Sequence, residues 1–174
     1  MSNRKEMLAA AERAILERRP GTLVGMLHVH LRRLRQISIA LDHDIADAVP
    51  AAVEERLRAF LRSADLVARI GEQDFMVVLP NLLSPGHAEL AAQRVLREFE
   101  RPLQVLGRLI EATVALGLAW SPEHAGSADT LARRATAALD AALGAGNRLK
   151  LASGTAEPLL LLDELRGALV NNEL

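Results

Sequence analysis

The run LVARIGEQDFMVVLP, residues 66–80, decides the reading of this chain. Two β-rich segments, LVARI at 66–70 and FMVVL at 75–79, flank the polar link Gly71-Glu72-Gln73-Asp74. Short apolar, β-branched runs on either side of a Gly-containing polar link predict an antiparallel hairpin with a polar tip. A lone hairpin is marginal in water, so this one needs more strands or a helix layer to cover its apolar face.

The flanking sequence supplies both. Upstream, Met7, Leu8, Ala11, Ala14 and Ile15 recur at helical spacing over 3–18, and Pro20-Gly21 ends that helix. TLVGMLHVHL, 22–31, alternates and reads as a strand. Residues 32–41 and 45–63 read as helices, with Pro50 placed where only the first turns of the second would tolerate it. Downstream come a loop at 81–86, a helix at 87–100 and strands at 103–106 and 109–119. A loop at 120–128, an alanine-rich helix at 129–144 closed by Gly144 and Gly146, and a short strand at 147–152 follow. A polar link at 153–157 precedes a last helix at 159–170. Hairpins and helices mixed in this order predict an α+β fold, with helices packed on a mainly antiparallel sheet.

Composition narrows the function. The 174 residues suit one domain, and half of them are apolar. A formal net charge of −1 gives no electrostatic case for a nucleic acid polymer or an anionic membrane. Three Phe, one Trp and no Tyr leave no stacking platform for single strands. The lack of cysteine excludes disulfides and thiolate metal sites, and fits a cytoplasmic setting. No apolar run reaches the ~20 residues of a membrane span.

Four motifs, in order and at the right spacing, resemble one family. ARIGEQDFMVVLP resembles the signature ARxGGDEFxxxLP of GGDEF, or diguanylate cyclase, domains. VHLRRLRQIS resembles the family's LDLDxFKxIN, and LDHDIADAVPAAVEERL its LGHxxGDxxLxxVAxxL; no gap is needed from Val29 to Pro80. TVALGLAWSPEHAGSADTLARRATAAL resembles xxSIGIAxxPxxGxxxxxLLxxADxAM, and Asn3-Arg4 matches the end of the family's LTGLxNR opening. The resemblance covers residues 3 to about 152. It implies a nucleotidyl-cyclase-like fold with a ferredoxin-like core.

It also implies that cyclase chemistry is gone. Active members hold divalent cations with carboxylates, because hard cations want oxygen ligands. One such Asp falls at His30, and the acidic third position of the signature is Gln73; Asp74 alone remains. Glu72 replaces the second signature glycine beside Gly71. The phosphate-gripping KxxGRN has become Ala142-Leu143-Gly144-Ala145-Gly146-Asn147, without its lysine and arginine. Guanine recognition is half kept: Asp47 matches the family's Asp, while its Asn partner is Ser38. No cofactor or metal is expected. Kept instead is Arg62-Ser63-Ala64-Asp65, in the register of the family's inhibitory RxxD site for cyclic di-GMP, with Arg94 aligned to a third arginine. An arginine fork can meet the Hoogsteen edge of guanine, and an Asp its N1 and N2 hydrogens.

Other clusters carry plainer readings. His28 and His30 face one side of the strand, but a metal would need a third ligand, so hydrogen-bonded histidines are expected. Asp42, His43 and Asp44 read as a loop and helix cap. Arg32, Arg33 and Arg35 read as a solvated helix face, with Arg35 aligned to a family lysine near the phosphates. LLDELRGALVNNEL at the tail resembles the helix that leads into an EAL phosphodiesterase domain, the alternative being an ordinary amphipathic helix. The expected organisation is a degenerate GGDEF domain over 1–152 and a linker with helix over 153–174, the expected role regulation of an EAL partner. A ligand-free dimerisation module and a weak residual cyclase are the alternatives.

Overall fold

The computed structural model describes residues 2–152. The expectations for 153–174, the linker and the helix toward an EAL domain, lie outside the described residues. The elements run α1 Ser2–Glu17, β1 Leu23–Arg32, α2 Leu34–Ala40, α3 His43–Phe60, β2 Leu66–Arg69, β3 Asp74–Leu82, α4 Pro85–Glu98, β4 Leu103–Val105, β5 Arg108–Ile110, β6 Thr113–Ser121, α5 Ala128–Ala145 and β7 Leu149–Leu151. Five strands form one sheet in the order β2-β3-β1-β6-β7, antiparallel except for the β6–β7 pair. β4 and β5 make a separate small hairpin. This is the α+β, mainly antiparallel architecture that the pattern predicts.

β1 lies at the centre of the sheet, and both of its faces are covered. Leu27, Val29 and Leu31 enter one core with Phe75, Val77 and Leu79 of β3 and Val49, Val53 and Leu57 of α3. Val24 and Met26 enter the other, with Met7 and Ala11 of α1 and Leu131, Ala132 and Ala135 of α5. Successive side chains of a strand alternate between faces, so one strand can serve two cores only if every position is apolar or satisfied. His28 and His30 fall on the α5 side and meet that condition by hydrogen bonding.

The α5 layer is thin. Gly117 faces α5 from β6, and a β-carbon there would lie 2.0 Å from the Ala135 carbonyl oxygen and 2.4 Å from the Leu139 nitrogen. The helix therefore lies directly on the strand backbone. Its ends are fixed chemically. Ser127 caps it by accepting from the Thr130 N–H, Glu12 of α1 accepts from the Ala128 N–H at 2.8 Å, and Gly146 turns left-handed at its end (φ 76°).

Several boundaries depart from the sequence reading. Arg32 belongs to β1, because the β1–β6 ladder runs on to the Arg32–Thr113 pair. Arg33 is left-handed (φ 62°), and only Arg35 of the basic trio lies in a helix. The expected helical basic face does not form. Pro50 sits eight residues into α3, beyond its first turns. It is buried, and the apolar face of Ile45, Val49, Val53 and Leu57 holds the helix through the missing N–H. The expected strand 109–119 is broken between Ile110 and Thr113, and its second half continues through Trp120 and Ser121, which pair with Gly25 and Val24. β3 likewise runs to Leu82, taking in Asn81 from the expected loop. α4 begins earlier, at Pro85, after a Ser84 cap.

Candidate functional site

The signature lies at the β2–β3 tip, against the open end of β1. His30 pairs directly opposite Asp74 across the ladder. One carboxylate oxygen of Asp74 accepts from two imidazoles, at 2.8 Å from His28 Nε2 and 3.0 Å from His30 Nδ1. With its Nε2–H so committed, neutral His28 accepts at Nδ1 from the Thr136 hydroxyl of α5, at 2.8 Å. Burial alone would raise the Asp74 pKa. The two histidine hydrogen bonds, with the histidines' charge, outweigh it and hold the carboxyl below its ordinary value.

Gln73 is committed in the same way. Its side-chain N–H donates to the Leu31 carbonyl at 2.9 Å, while the Leu31 N–H donates to the Gln73 carbonyl at 2.7 Å. Arg69 braces the turn by donating to the Gly71 and Glu72 carbonyls at 2.9 and 3.0 Å. Asn3 of α1 reaches the Arg69 carbonyl. Glu72 is exposed and its backbone is not left-handed, so local geometry does not demand a glycine there. Among the described residues no three His, Cys, Asp or Glu side chains surround a common point for a metal ion. The three that converge are joined by protons.

The linkage of Asp74 has a measurable consequence. A carboxyl whose pKa is depressed on folding stabilises the protein above its unfolded pKa, near 4, and loses that contribution as pH falls through the folded value. Urea midpoints of wild type should therefore drop more steeply between pH 5 and 3 than those of Asp74→Asn. Parallel curves would show that the histidines do not hold this carboxylate.

The residues of the second expected site meet around one cavity of about 130 Å³, lined by Arg62, Asp65 and Arg94 together with His87 and an apolar floor that includes Leu79 and Leu90. Asp65 accepts from the Arg62 backbone N–H at 2.9 Å and from its guanidinium at 3.0 and 2.6 Å. Its side chain is only 3% exposed, so it faces Arg62 and not the solvent. The same guanidinium donates to the Pro80 carbonyl at 2.9 Å. Arg62 is thus fixed through Nε and Nη2, while Nη1 has no hydrogen-bond partner among the described residues, and its side chain is 49% exposed. Arg94 is exposed on α4 and has no hydrogen-bond or ion-pair partner among the described residues. The guanine pair is not assembled in the same sense: the Ser38 hydroxyl donates back to the Leu34 carbonyl of its own helix, and Asp47 is exposed on α3.

The family of diguanylate cyclase, GGDEF domains matches residues 1–148. The chain belongs to the GGDEF family. That family serves cyclic di-GMP signalling. The GGDEF chain is 29% identical over 161 residues to the cyclic di-GMP phosphodiesterase NbdA of Pseudomonas aeruginosa, covering 88% of this chain and 20% of that protein. It is 31% identical over 103 residues to the diguanylate cyclase TpbB of the same species, covering 59% of this chain and 24% of TpbB. The chain therefore spans about a quarter or less of these relatives. The crystal structure of the TpbB GGDEF domain superimposes with a TM-score of 0.81 at 27% identity, covering 87% of this chain and 96% of that one. The GGDEF domain of DgcB from Caulobacter crescentus, in complex with cyclic di-GMP, shares the fold, with a TM-score of 0.74 at 21% identity over 86% of this chain and 90% of that one. Among the described residues no helix is long and apolar enough to cross a membrane.

What the sequence missed in this GGDEF domain is the cross-strand chemistry. Period-2 alternation puts His28 and His30 on one face, but only the β1–β3 register brings Asp74 between them. Thr136 carries no sequence signal at all.

Proposed function

We propose that this GGDEF domain is a regulatory module without cyclase activity, which binds cyclic di-GMP at the Arg62–Arg94 cavity and controls an EAL phosphodiesterase domain of the same polypeptide. The observation that carries the reading is the closed hydrogen bonding of the signature. Gln73, one of the two positions from which a cyclase would hold cations, is spent on the Leu31 carbonyl, and Asp74, the carboxylate that remains in the signature, on His28 and on His30, which stands at the other. A triphosphate brings several negative charges and needs cations or basic side chains to meet them. Position 30 offers an imidazole, and the 142–147 segment offers neither lysine nor arginine. The fixed guanidinium of Arg62 and that of Arg94, which has no partner among the described residues, suit an anion with flat bases over an apolar floor. The similarity to a segment of NbdA, a cyclic di-GMP phosphodiesterase, supports the regulatory half of the proposal.

The test has two parts. Incubation with GTP and Mg²⁺ or Mn²⁺ should give no cyclic dinucleotide, whereas steady product formation would mean a residual cyclase. Calorimetry with cyclic di-GMP should show binding by wild type and a loss of at least about 30-fold in Arg62→Ala, since a fixed charged donor contributes on the order of 2 kcal/mol. Absence of binding by wild type would leave the second reading, a ligand-free dimerisation module. That reading draws on Leu106 and Leu109, 66% and 73% exposed on the β4–β5 hairpin. A concentration-dependent dimer in sedimentation equilibrium, lost in Leu109→Ser, would favour it.

A further inference from the structure

We infer that the turn joining β6 to α5 is a proton-operated latch: neutral His124 holds it shut, and protonation of the imidazole frees the start of α5 and, through Glu12, its tie to α1. The inference goes beyond the ligand reading above and does not depend on what the Arg62 cavity binds. His124 is 3% exposed and takes no part in the signature.

Trp120 and His124 close the turn twice. The His124 backbone N–H donates to the Trp120 carbonyl at 2.9 Å, and the Trp120 backbone N–H donates to His124 Nδ1 at 3.0 Å. The position of Trp120 explains the second bond. Leu116 and Leu118 bond to the β7 side, Leu116 donating to the Arg148 carbonyl and Leu118 accepting from the Ala152 N–H. Every second residue of a strand bonds along the same edge. Trp120 therefore faces that edge too, but it lies past the last β6–β7 pair, Leu118–Leu151. The imidazole supplies the acceptor that a longer strand would. A backbone N–H can only donate, so Nδ1 is the acceptor and neutral His124 carries its proton on Nε2. A second proton would have to go on Nδ1. Two donors would then face each other, and the Trp120 N–H would be left buried without its acceptor.

The surrounding charges agree with this geometry. Burial holds the His124 pKa below its ordinary value, and the Arg134 guanidinium of α5 pushes it the same way, while Glu123 opposes both and is outweighed. Glu123 also accepts from the Trp120 indole N–H at 3.0 Å. β1 brings the uncharged Val24 and Gly25 to this end of the sheet, opposite Ser121 and Trp120. Asp129 of α5 is paired with Arg133 on the exposed side of the helix. From α1, Glu12 reaches the start of α5, where it accepts from the Ala128 N–H at 2.8 Å. That contact gives the latch its reach. Ala125, next to His124, is buried in the core shared by α1 and α5, Ser127 caps the helix, and Ala128 carries the bond to Glu12. An imidazole whose folded pKa lies below its unfolded value, near 6.5, stabilises the fold in full above that value. The contribution is lost as pH falls toward the folded pKa, so the latch opens on the acid side of neutrality.

Trp120 is the one tryptophan of the chain, so its emission reports the turn. Followed from about pH 8 to pH 5, emission of the 174-residue chain should change in one step centred below 6.5, with far-ultraviolet circular dichroism unchanged. His124→Asn keeps an acceptor, Oδ1, close to the Nδ1 position and cannot titrate, so its emission should stay flat. Asp74→Asn should keep the step, which separates the latch from the signature carboxylate. Amide exchange, corrected for its intrinsic pH dependence, should show Trp120 and Ala128 losing protection about tenfold over the same range, the effect of one buried N–H left unpaired, in wild type and not in His124→Asn. Titration of the His124 ring by NMR needs no variant, and a pKa above 6.5 in wild type would overturn the latch. An emission step that survives in His124→Asn would also overturn it. Protection lost at Trp120 but kept at Ala128 would overturn its reach to α1.

Discussion

Gly117→Ala should lower the melting temperature by roughly 10 °C or prevent folding altogether. The added methyl would lie 2.0 Å from the Ala135 carbonyl oxygen and 2.4 Å from the Leu139 nitrogen, both backbone atoms of α5. Neither can rotate away as a side-chain tip could, so the helix must lift from the sheet. Overpacking of this kind costs about 3 kcal/mol or more, and a domain of this size loses a few degrees for each. Lifting α5 would also draw Thr136 away from His28, so the damage reaches the signature. Gly144 in the same helix is the control. A β-carbon there meets nothing within 4 Å, and Gly144→Ala should raise stability by about 0.5–1 kcal/mol through helix propensity. Circular dichroism melts of the two variants should move in opposite directions. Equal melts would mean that α5 does not rest on β6 as described.

Gln73→Glu should be the second most damaging single change, and its damage should respond to divalent cations. The substitution swaps an N–H that donates to the Leu31 carbonyl at 2.9 Å for a carboxylate oxygen that cannot donate. Two acceptors would then face each other in a half-buried place, with Asp74 one residue away. The expected cost is about 2 kcal/mol, most of it from the orphaned carbonyl and the desolvated charge. A cation lodged between the two oxygens would remove the repulsion, so millimolar Mn²⁺ should raise the melting temperature of the variant and leave wild type unmoved. A variant that melts like wild type would show that the amide is not tying β1 to the signature turn. A variant that is destabilised but ignores Mn²⁺ would show that more than one charge separates this pocket from a cation site.

The architecture was legible because it rests on local patterns. The hairpin, the β1 run and the amphipathic helices each declare themselves within one window of sequence. The boundaries that moved are those where a neighbouring strand overrode local preference. Arg32 and Arg33 follow a helical pattern, but the ladder to β6 holds Arg32 extended and puts the bend at Arg33. Pro50 argues for a helix start, yet the buried face of α3 carries the helix through it. The site residues show the same division. The spacing of Arg62 and Asp65 puts them near one another, and the structure pairs them, with Asp65 facing inward as a support for Arg62. His87 escaped notice because a lone histidine near a loop has no pattern until the helix face and the cavity are known.

The central strand carries a last consequence. β1 is hydrogen-bonded on both edges and covered on both faces, so its amides can exchange with solvent only when the entire domain opens. The cavity beside Arg62 lies at the other extreme, among the end of α3 and the connection after it, the end of β3 and the exposed face of α4. A ligand arriving there can quieten the periphery without disturbing the middle. Deuterium uptake would then register occupancy as slower labelling of α4 and of the connection from Leu61 to Asp65, with the sheet's centre serving as the unvarying internal clock.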